Sequence, residues 1–244
     1  MEALASNTQM DGDIVTTKQR AVMALSGGMD SSSLLLHLLR EGYEVTALSF
    51  NYGQKHVVEL QRASDLVKHL GEHGLLVHHH VIDLQSAMGL FASDLLATGG
   101  PVPEGHYEED NMKATVVPNR NAIFSSLLYG TALSIATTND SKVCVVLGVH
   151  SGDHAIYPDC RPEFYSALEH AFALGNWDSH LISFVLPYLE MDKTSILKDA
   201  EQSVNRLKLD FDAVFSRTLT SYSPDGDGRS EEHTSELQSP DHLV

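Results

Sequence analysis

Residues Met23–Leu39, MALSGGMDSSSLLLHLL, decide the fold. The stretch Ala21–Leu25, AVMAL, has the length and character of a buried strand, while Leu34, Leu35, Leu38 and Leu39 return at helical spacing. A strand therefore feeds a helix through Ser26–Ser32, SGGMDSS. A helix start presents unpaired N–H groups at the positive end of its dipole, and glycines let a phosphate come close to that backbone. Neither Lys nor Arg occurs from Ala21 to Leu39, so this is not the lysine-bearing loop GxxxxGK(S/T), and it also lacks GxGxxG. An isolated SGG reads as a turn with Ser or Asp as the N-cap. Between an apolar strand and an amphipathic helix, SGGMDSS reads as a phosphate cradle. Its charge neutralisation comes from backbone, dipole and a cation held elsewhere.

Composition narrows the acceptor. The chain has 244 residues, 42% of them hydrophobic, enough to bury a core as one domain. Its formal charge is −17, from 16 Lys plus Arg against 33 Asp plus Glu, which leaves no broad basic footprint for tRNA or DNA. A small-molecule partner is expected, with neither nucleic acid nor membrane. The only cysteines are Cys144 and Cys160, too few for a disulfide scaffold, and the acidic start MEALASNTQMDGD is unlike a secretory signal. A cytoplasmic setting is the expectation. Residues 1–17 read as a flexible leader and 18–228 as the folded domain.

Along that domain, EVTALSFNY (44–52) and HHHVIDL (78–84) read as strands on either side of a helix, VELQRASDLVKHL (58–70). Gln85 to Met112 is polar and turn-rich, a candidate lid. AIFSSLLYGTALSIA (122–136) reads as a helix, KVCVVLGVH (142–150) as a buried strand and LISFVLP (181–187) as a last strand. PEFYSALEHAFALG (162–175) is a helix opened by Pro162 in its first turn. Strands alternating with helices predict an α/β fold: a doubly wound, largely parallel sheet with helices on both faces and ligands at the carboxyl ends of the strands.

Three more stretches concentrate polar groups at element ends. In NYGQKHVVEL, Gly53 supplies a turn among Asn51, Gln54, Lys55 and His56 at a strand exit. In VVPNRNAIF, Pro118 favours an extended Val117, and Asn119, Arg120 and Asn121 lie just before a helix. The Arg120 guanidinium suits a bidentate grip on a carboxylate or phosphate, and helix capping with a surface Arg is the plainer alternative. GVHSGDHAIYPDCRPEF packs Asp153, Tyr157, Asp159, Cys160 and Arg161 into one exit loop. There an Asp can accept N–H donors from a purine-like edge, an aromatic ring can stack on it, and Arg161 can pair with a carboxylate. Cys160 reads as a packing residue, because no base that would activate a thiol is identified.

SGGMDSS is similar to the SGGxDS signature of the PP-loop ATP pyrophosphatase superfamily. With NYGQKH, VPNRN and YPDCRPEF in that order, the chain from about Ala21 to Tyr222 resembles the 7-cyano-7-deazaguanine synthase family. The resemblance implies an ATP-dependent ligase that converts 7-carboxy-7-deazaguanine and ammonia to the 7-cyano base through adenylated intermediates, in queuosine-type biosynthesis. It implies ATP and magnesium as cofactors, and homo-oligomerisation. By the same resemblance Leu25, Ser26, Gly27, Gly28, Met29, Asp30, Ser31, Ser32, Ser33, Leu34 and Leu35 bind ATP, with Asp30 either capping the loop or approaching magnesium through water. Arg120, Asp153, Tyr157, Asp159 and Arg161 are the substrate-side candidates, and Asp30, Lys193 and Arg161 the catalytic ones. Lys193, in PYLEMDKTSIL, matches the family's lysine after its last strand, and Arg217 in SRTLTSY is a further phosphate candidate. Another PP-loop adenylating enzyme acting on tRNA, or a non-catalytic nucleotide or deazapurine sensor, are the competing readings.

The chain departs from that family at its end. Many members carry four cysteines there, suited to structural zinc. Here Ser221 occupies the first of those positions and no cysteine follows, so no residue is expected to serve as a metal ligand. Arg229–Ser239, RSEEHTSELQS, resembles the in-frame translation of a common sequencing adapter, and residues 229–244 are therefore expected to be non-native.

Overall fold

β1 (Arg20–Ala24) lies at the centre of a five-stranded sheet, flanked by β2 (Glu44–Asn51) and β4 (Val143–Val146), with β3 (Val77–Asp83) and β5 (Ile182–Val185) at the edges. The computed structural model describes residues 18–55, 58–97, 99, 116–150 and 157–218. Every pairing is parallel: Ala21 sits opposite Val45 on one side and Cys144 on the other. The order β3-β2-β1-β4-β5 reverses between β1 and β4, and a crevice at such a switch point, beyond the carboxyl ends of the strands, is where ligands bind in open α/β sheets.

Alternation along β1 divides the core. Val22 and Ala24 face α4 (Arg120–Asn139) and α5 (Pro162–Gly175), in a cluster that also holds Phe50, Phe124, Leu128 and Tyr165. Ala21, Met23 and Leu25 face the opposite way, packing with α1 (Met29–Arg40), α2 (Val58–Glu72), α6 (Lys193–Leu207) and α7 (Phe211–Phe215). Helices thus cover both faces, as the doubly wound reading requires.

α1 lies between the sheet and α6, which explains why its Leu34, Leu35 and Leu36 have no exposed surface. A polar network joins the two helices. Asp199 accepts from Arg40 Nη1 at 2.8 Å and from the Tyr188 hydroxyl at 2.9 Å, and its Oδ2 lies 2.9 Å from His37 Nδ1. Burial alone would raise the Asp199 carboxyl, yet the bonds from Arg40, His37 and Tyr188 hold it below its ordinary range. Tyr188, fully buried, is driven upward by that burial and by Asp199.

Three elements differ most from the sequence reading. β4 ends at Val146 rather than running to His150: Leu147 N still bonds Val185 O at 3.2 Å, and the buried chain beyond it leaves the ladder. α4 begins at Arg120, so that Arg120 and Asn121 belong to its first turn instead of preceding it. Asn119 supplies the entry in the left-handed conformation, φ 57°, which asparagine tolerates better than most residues. The segment read as a lid starts with a short helix, α3 (Gln85–Met88), whose Met88 is buried in the core. Farther along it, Ala97 N bonds Gly53 O and Lys55 N bonds Leu95 O, tying it to the β2 exit. Residues 101–115, the leader 1–17 and the tail 229–244 lie outside the described residues.

Candidate active site

β1 runs out through Leu25, Ser26, Gly27 and Gly28 into α1. Leu25 remains in the ladder, its N–H bonded to Leu48 O at 2.8 Å, and its carbonyl accepts from the buried Ser49 hydroxyl at 2.5 Å. Ser49 Oγ in turn lies 2.8 Å from His79 Nε2. Burial, then the nearby His80, holds His79 below the usual imidazole range, so a neutral ring donating to Ser49 fits the chain of bonds.

Gly27 has φ +94°, and a β-carbon built on it would stand 2.4 Å from Glu59 O and 3.1 Å from Ala63 N of α2. Only glycine satisfies both the dihedral and the space. Gly28 is the N-cap of α1 and no side chain caps the helix, which removes Asp30 and the serines from that role. Instead the hydroxyls brace the loop: Ser26 Oγ accepts from Gly28 N at 3.2 Å, shares a 2.9 Å bond with Ser31 Oγ, and Ser31 Oγ accepts from Ser26 N at 3.2 Å. The hydroxyls of Ser32 and Ser33 are buried with no hydrogen-bond partner among the described residues. A cradle closed to any β-carbon, an uncapped helix start and unspent hydroxyl donors suit a polyphosphate.

Asp30 is buried in the first turn of α1, with Oδ2 3.5 Å from Nε2 of the buried His150. His150 stands just past β4, so the loops leaving the two strands at the switch point meet at this pair. Asp30 is the acidic group of that first turn, and His150 stands beside it. Met29, Leu34 and Leu35 contribute side chains to the core instead, as does Leu25, whose main chain is already bonded to Leu48 and Ser49.

The β2 exit forms the next wall. Gln54 folds back on its own turn, Oε1 accepting from Tyr52 N at 3.0 Å and Nε2 donating to Phe50 O at 3.1 Å. Arg120 Nη1 donates to the Tyr52 hydroxyl at 3.3 Å, and the guanidinium carbon lies 5.8 Å from the centre of that ring. Phe124, one turn along α4, stacks on Phe50 at 4.1 Å. Leu25, Ser26, Phe50, Tyr52, Gln54, Glu59, Arg120 and Phe124 line one cleft between the cradle and α4.

The turn before α5 meets the start of α4, and none of its described residues lines that cleft. Asn121 Nδ2 donates to Cys160 Sγ at 3.9 Å, joining VPNRN to YPDCRPEF deep in the core. Burial raises the Asp159 carboxyl, and the charge of Arg120 opposes that rise. Tyr157 is half-buried on the same turn, whereas Arg161 is exposed at the N-cap of α5. Lys193 opens α6, half-buried, beside an N-cap in which Asp192 accepts from Ser195 N at 2.8 Å. Arg217 lies away from the cleft, with Asp65, Lys68 and Glu72 along α2. Asp153 falls outside the described residues.

Sequence reasoning missed Tyr52, Glu59 and His150. Each sits inside a stretch already singled out for its neighbours, but nothing local tells which way a side chain points. Among the described residues no group of three or more His, Cys, Asp and Glu is arranged to hold a metal, and no helix is long and apolar enough to cross a membrane.

A family described as queuosine biosynthesis protein QueC matches residues 20–235. The chain is 43% identical over 84% of its length to 7-cyano-7-deazaguanine synthase 1 of Colwellia psychrerythraea, covering 85% of that protein. It is 40% identical to the 7-cyano-7-deazaguanine synthase of a Marinomonas species, over 84% of each chain. To the synthase of Marinobacter nauticus it is 45% identical over 83% of its own length and 82% of the relative's. Among solved structures, the predicted subunit of a tRNA methyltransferase from Methanocaldococcus jannaschii is similar at TM-score 0.46 and 18% identity, over 75% of this chain and 74% of that one.

Proposed function

The chain belongs to the QueC family, and from that premise we propose that it is an ATP-dependent ligase turning 7-carboxy-7-deazaguanine and ammonia into 7-cyano-7-deazaguanine. The observation that carries the reading is the shared cleft, with Leu25 and Ser26 at the mouth of the glycine loop on one side and the Arg120–Tyr52 pair on the other.

A carboxylate is a poor acylating agent, so its oxygen attacks the α-phosphorus of ATP and the bond to pyrophosphate breaks. Ammonia then attacks the acyl carbon, AMP departs, and a proton passes to solvent, leaving the amide. The amide oxygen attacks a second ATP in the same way. Loss of AMP and of the nitrogen's remaining protons yields the nitrile.

The chain's residues divide this work. Main-chain N–H groups at the start of α1, with Ser32 and Ser33, hold the departing pyrophosphate, where fixed dipoles are most effective. Magnesium, when bound beside Asp30, supplies neutralisation of phosphate charge. Lys193 adds a positive charge at the start of α6, and Arg120 receives the substrate carboxylate in a planar fork. Asp153, Tyr157, Asp159 and Arg161 belong to the base-binding side, where a carboxyl accepts the N–H donors of the guanine-like edge and Tyr157 stacks. The net charge of −17 supports a small metabolite as acceptor rather than tRNA, for a cytoplasmic enzyme that self-associates, which sedimentation velocity tests. With only Cys144 and Cys160 in the chain, the purified protein should carry no stoichiometric zinc; one tightly held zinc per chain by elemental analysis refutes this.

The test is mass spectrometry of protein incubated with ATP, magnesium, ammonium and 7-carboxy-7-deazaguanine. Nitrile and AMP are expected from the wild type, and Asp30→Ala should lower both by about 100-fold or more. Folded wild-type protein that forms no AMP in response to the carboxylated base would overturn the proposal.

A further inference from the structure

The tripeptide Tyr52-Gly53-Gln54 leaves β2 in a turn with Gly53 at φ +81°. Gln54 spends both ends of its amide on that turn, holding Tyr52 N and Phe50 O. The Tyr52 ring is further fixed by Phe124, 5.5 Å away at 59°, and the residue is 6% exposed. A hydroxyl held this firmly is a fixed point. It accepts from Nη1 of Arg120, itself 3% exposed, and the guanidinium also lies near the face of the tyrosine ring. A guanidinium carries five N–H donors in one rigid plane, so fixing one of them fixes the direction of the others.

We infer that Tyr52 is a positioning residue: through its hydroxyl it aims the Arg120 fork at the carboxylate of the first-round substrate, and so sets the preference for the acid over the amide. The inference rests on the proposed reaction. Its logic is that the two adenylation rounds present different groups to the same cleft. The acid arrives from solution carrying a negative charge that a planar fork can grip with two parallel bonds. The amide is neutral, is formed in place, and gains little from the same fork. Misaiming Arg120 therefore harms capture of the acid and largely spares the amide, whereas general damage to the cleft harms both alike.

The experiment measures kcat and KM for the wild type, Tyr52→Phe, Arg120→Lys and the double variant, each with the carboxylated and the amidated deazaguanine. Removing one hydrogen bond to a charged group should raise KM for the acid about tenfold relative to KM for the amide, with kcat on the acid changing less. Arg120→Lys keeps the charge and loses the fork, and should shift the same ratio. Adding Tyr52→Phe to it should shift the ratio no further, because the hydroxyl has nothing left to aim. Equal losses on acid and amide, additive effects in the double variant, or a Tyr52→Phe chain that fails to fold would each overturn the assignment. Wild-type protein that makes no nitrile would instead overturn the proposed reaction, and is read before any variant.

Discussion

Gly27 lies so close to the main chain of α2 that a β-carbon on it would stand 2.4 Å from the carbonyl oxygen of Glu59. That oxygen belongs to backbone and has no rotamer by which to move aside. Together with φ +94°, the contact makes Gly27→Ala strained in two independent ways. The substitution should cost about 3 kcal/mol or more in urea unfolding and lower AMP formation at least about 100-fold. An active, stable Gly27→Ala protein would mean that the cradle is looser than this contact allows.

Asp199 ties α6 to α1, and Asp199→Asn should cost about 2–3 kcal/mol by weakening its bonds to Arg40 and Tyr188. The pH dependence has a definite sign. Because the folded carboxyl sits below its ordinary 3.8, the unfolded chain takes up the proton first. The contribution is whole above that value and is lost as pH falls through the folded one. Urea midpoints measured on acidification through pH 4 should therefore fall more steeply for the wild type than for Asp199→Asn.

Cys160 is fully buried and its Sγ meets Asn121 Nδ2 at 3.9 Å, a packing contact rather than an activated thiol. Cys160→Ala is expected to cost about 1 kcal/mol and to retain AMP and nitrile formation within about threefold. Complete loss of turnover in a folded Cys160→Ala protein would make the thiol a participant in the chemistry.

Asn119 turns the chain into α4 with positive φ, directly before Arg120. Asn119→Gly should leave stability within about 0.5 kcal/mol, whereas the β-branched Asn119→Val should lose roughly 2 kcal/mol and weaken binding of the carboxylated base. Thermal melts and KM for the acid, compared across the pair, separate an effect of dihedral angle from one of side-chain bonding.

Much of this architecture is legible in the chain alone. PEFYSALEHAFALG forms a helix from Pro162 to Gly175, the whole stretch read from sequence, because proline suits a first turn and asparagine follows where the helix ends. AVMAL gives away its strand by apolar content and position before SGG, and its placement in the middle of the sheet follows from the alternating topology. The end of β4 is not legible, since Leu147 and Val149 continue the apolar run beyond VCVV; pairing with β1 and β5 decides where the strand stops. Arg120 is visible as a candidate, but its partner Tyr52 lies 68 residues earlier and leaves no local trace of the contact. Leu34 and Leu35 show the opposite limit. They belong to the motif, yet their side chains pack into the core beneath the phosphate cradle.

The bond between Arg40 and Asp199 spans 159 residues of chain. During synthesis the first strand and its glycine loop leave the ribosome long before the helix that will brace them. Until α6 arrives, α1 is covered on its sheet side only, with Leu34 to Leu36 short of one neighbouring layer. A nascent chain halted before Asp199 therefore carries the whole nucleotide motif without its outer support, and is more exposed to aggregation and proteolysis than its sequence order suggests. The strand and loop that carry the motif are secured only once a helix made much later has docked.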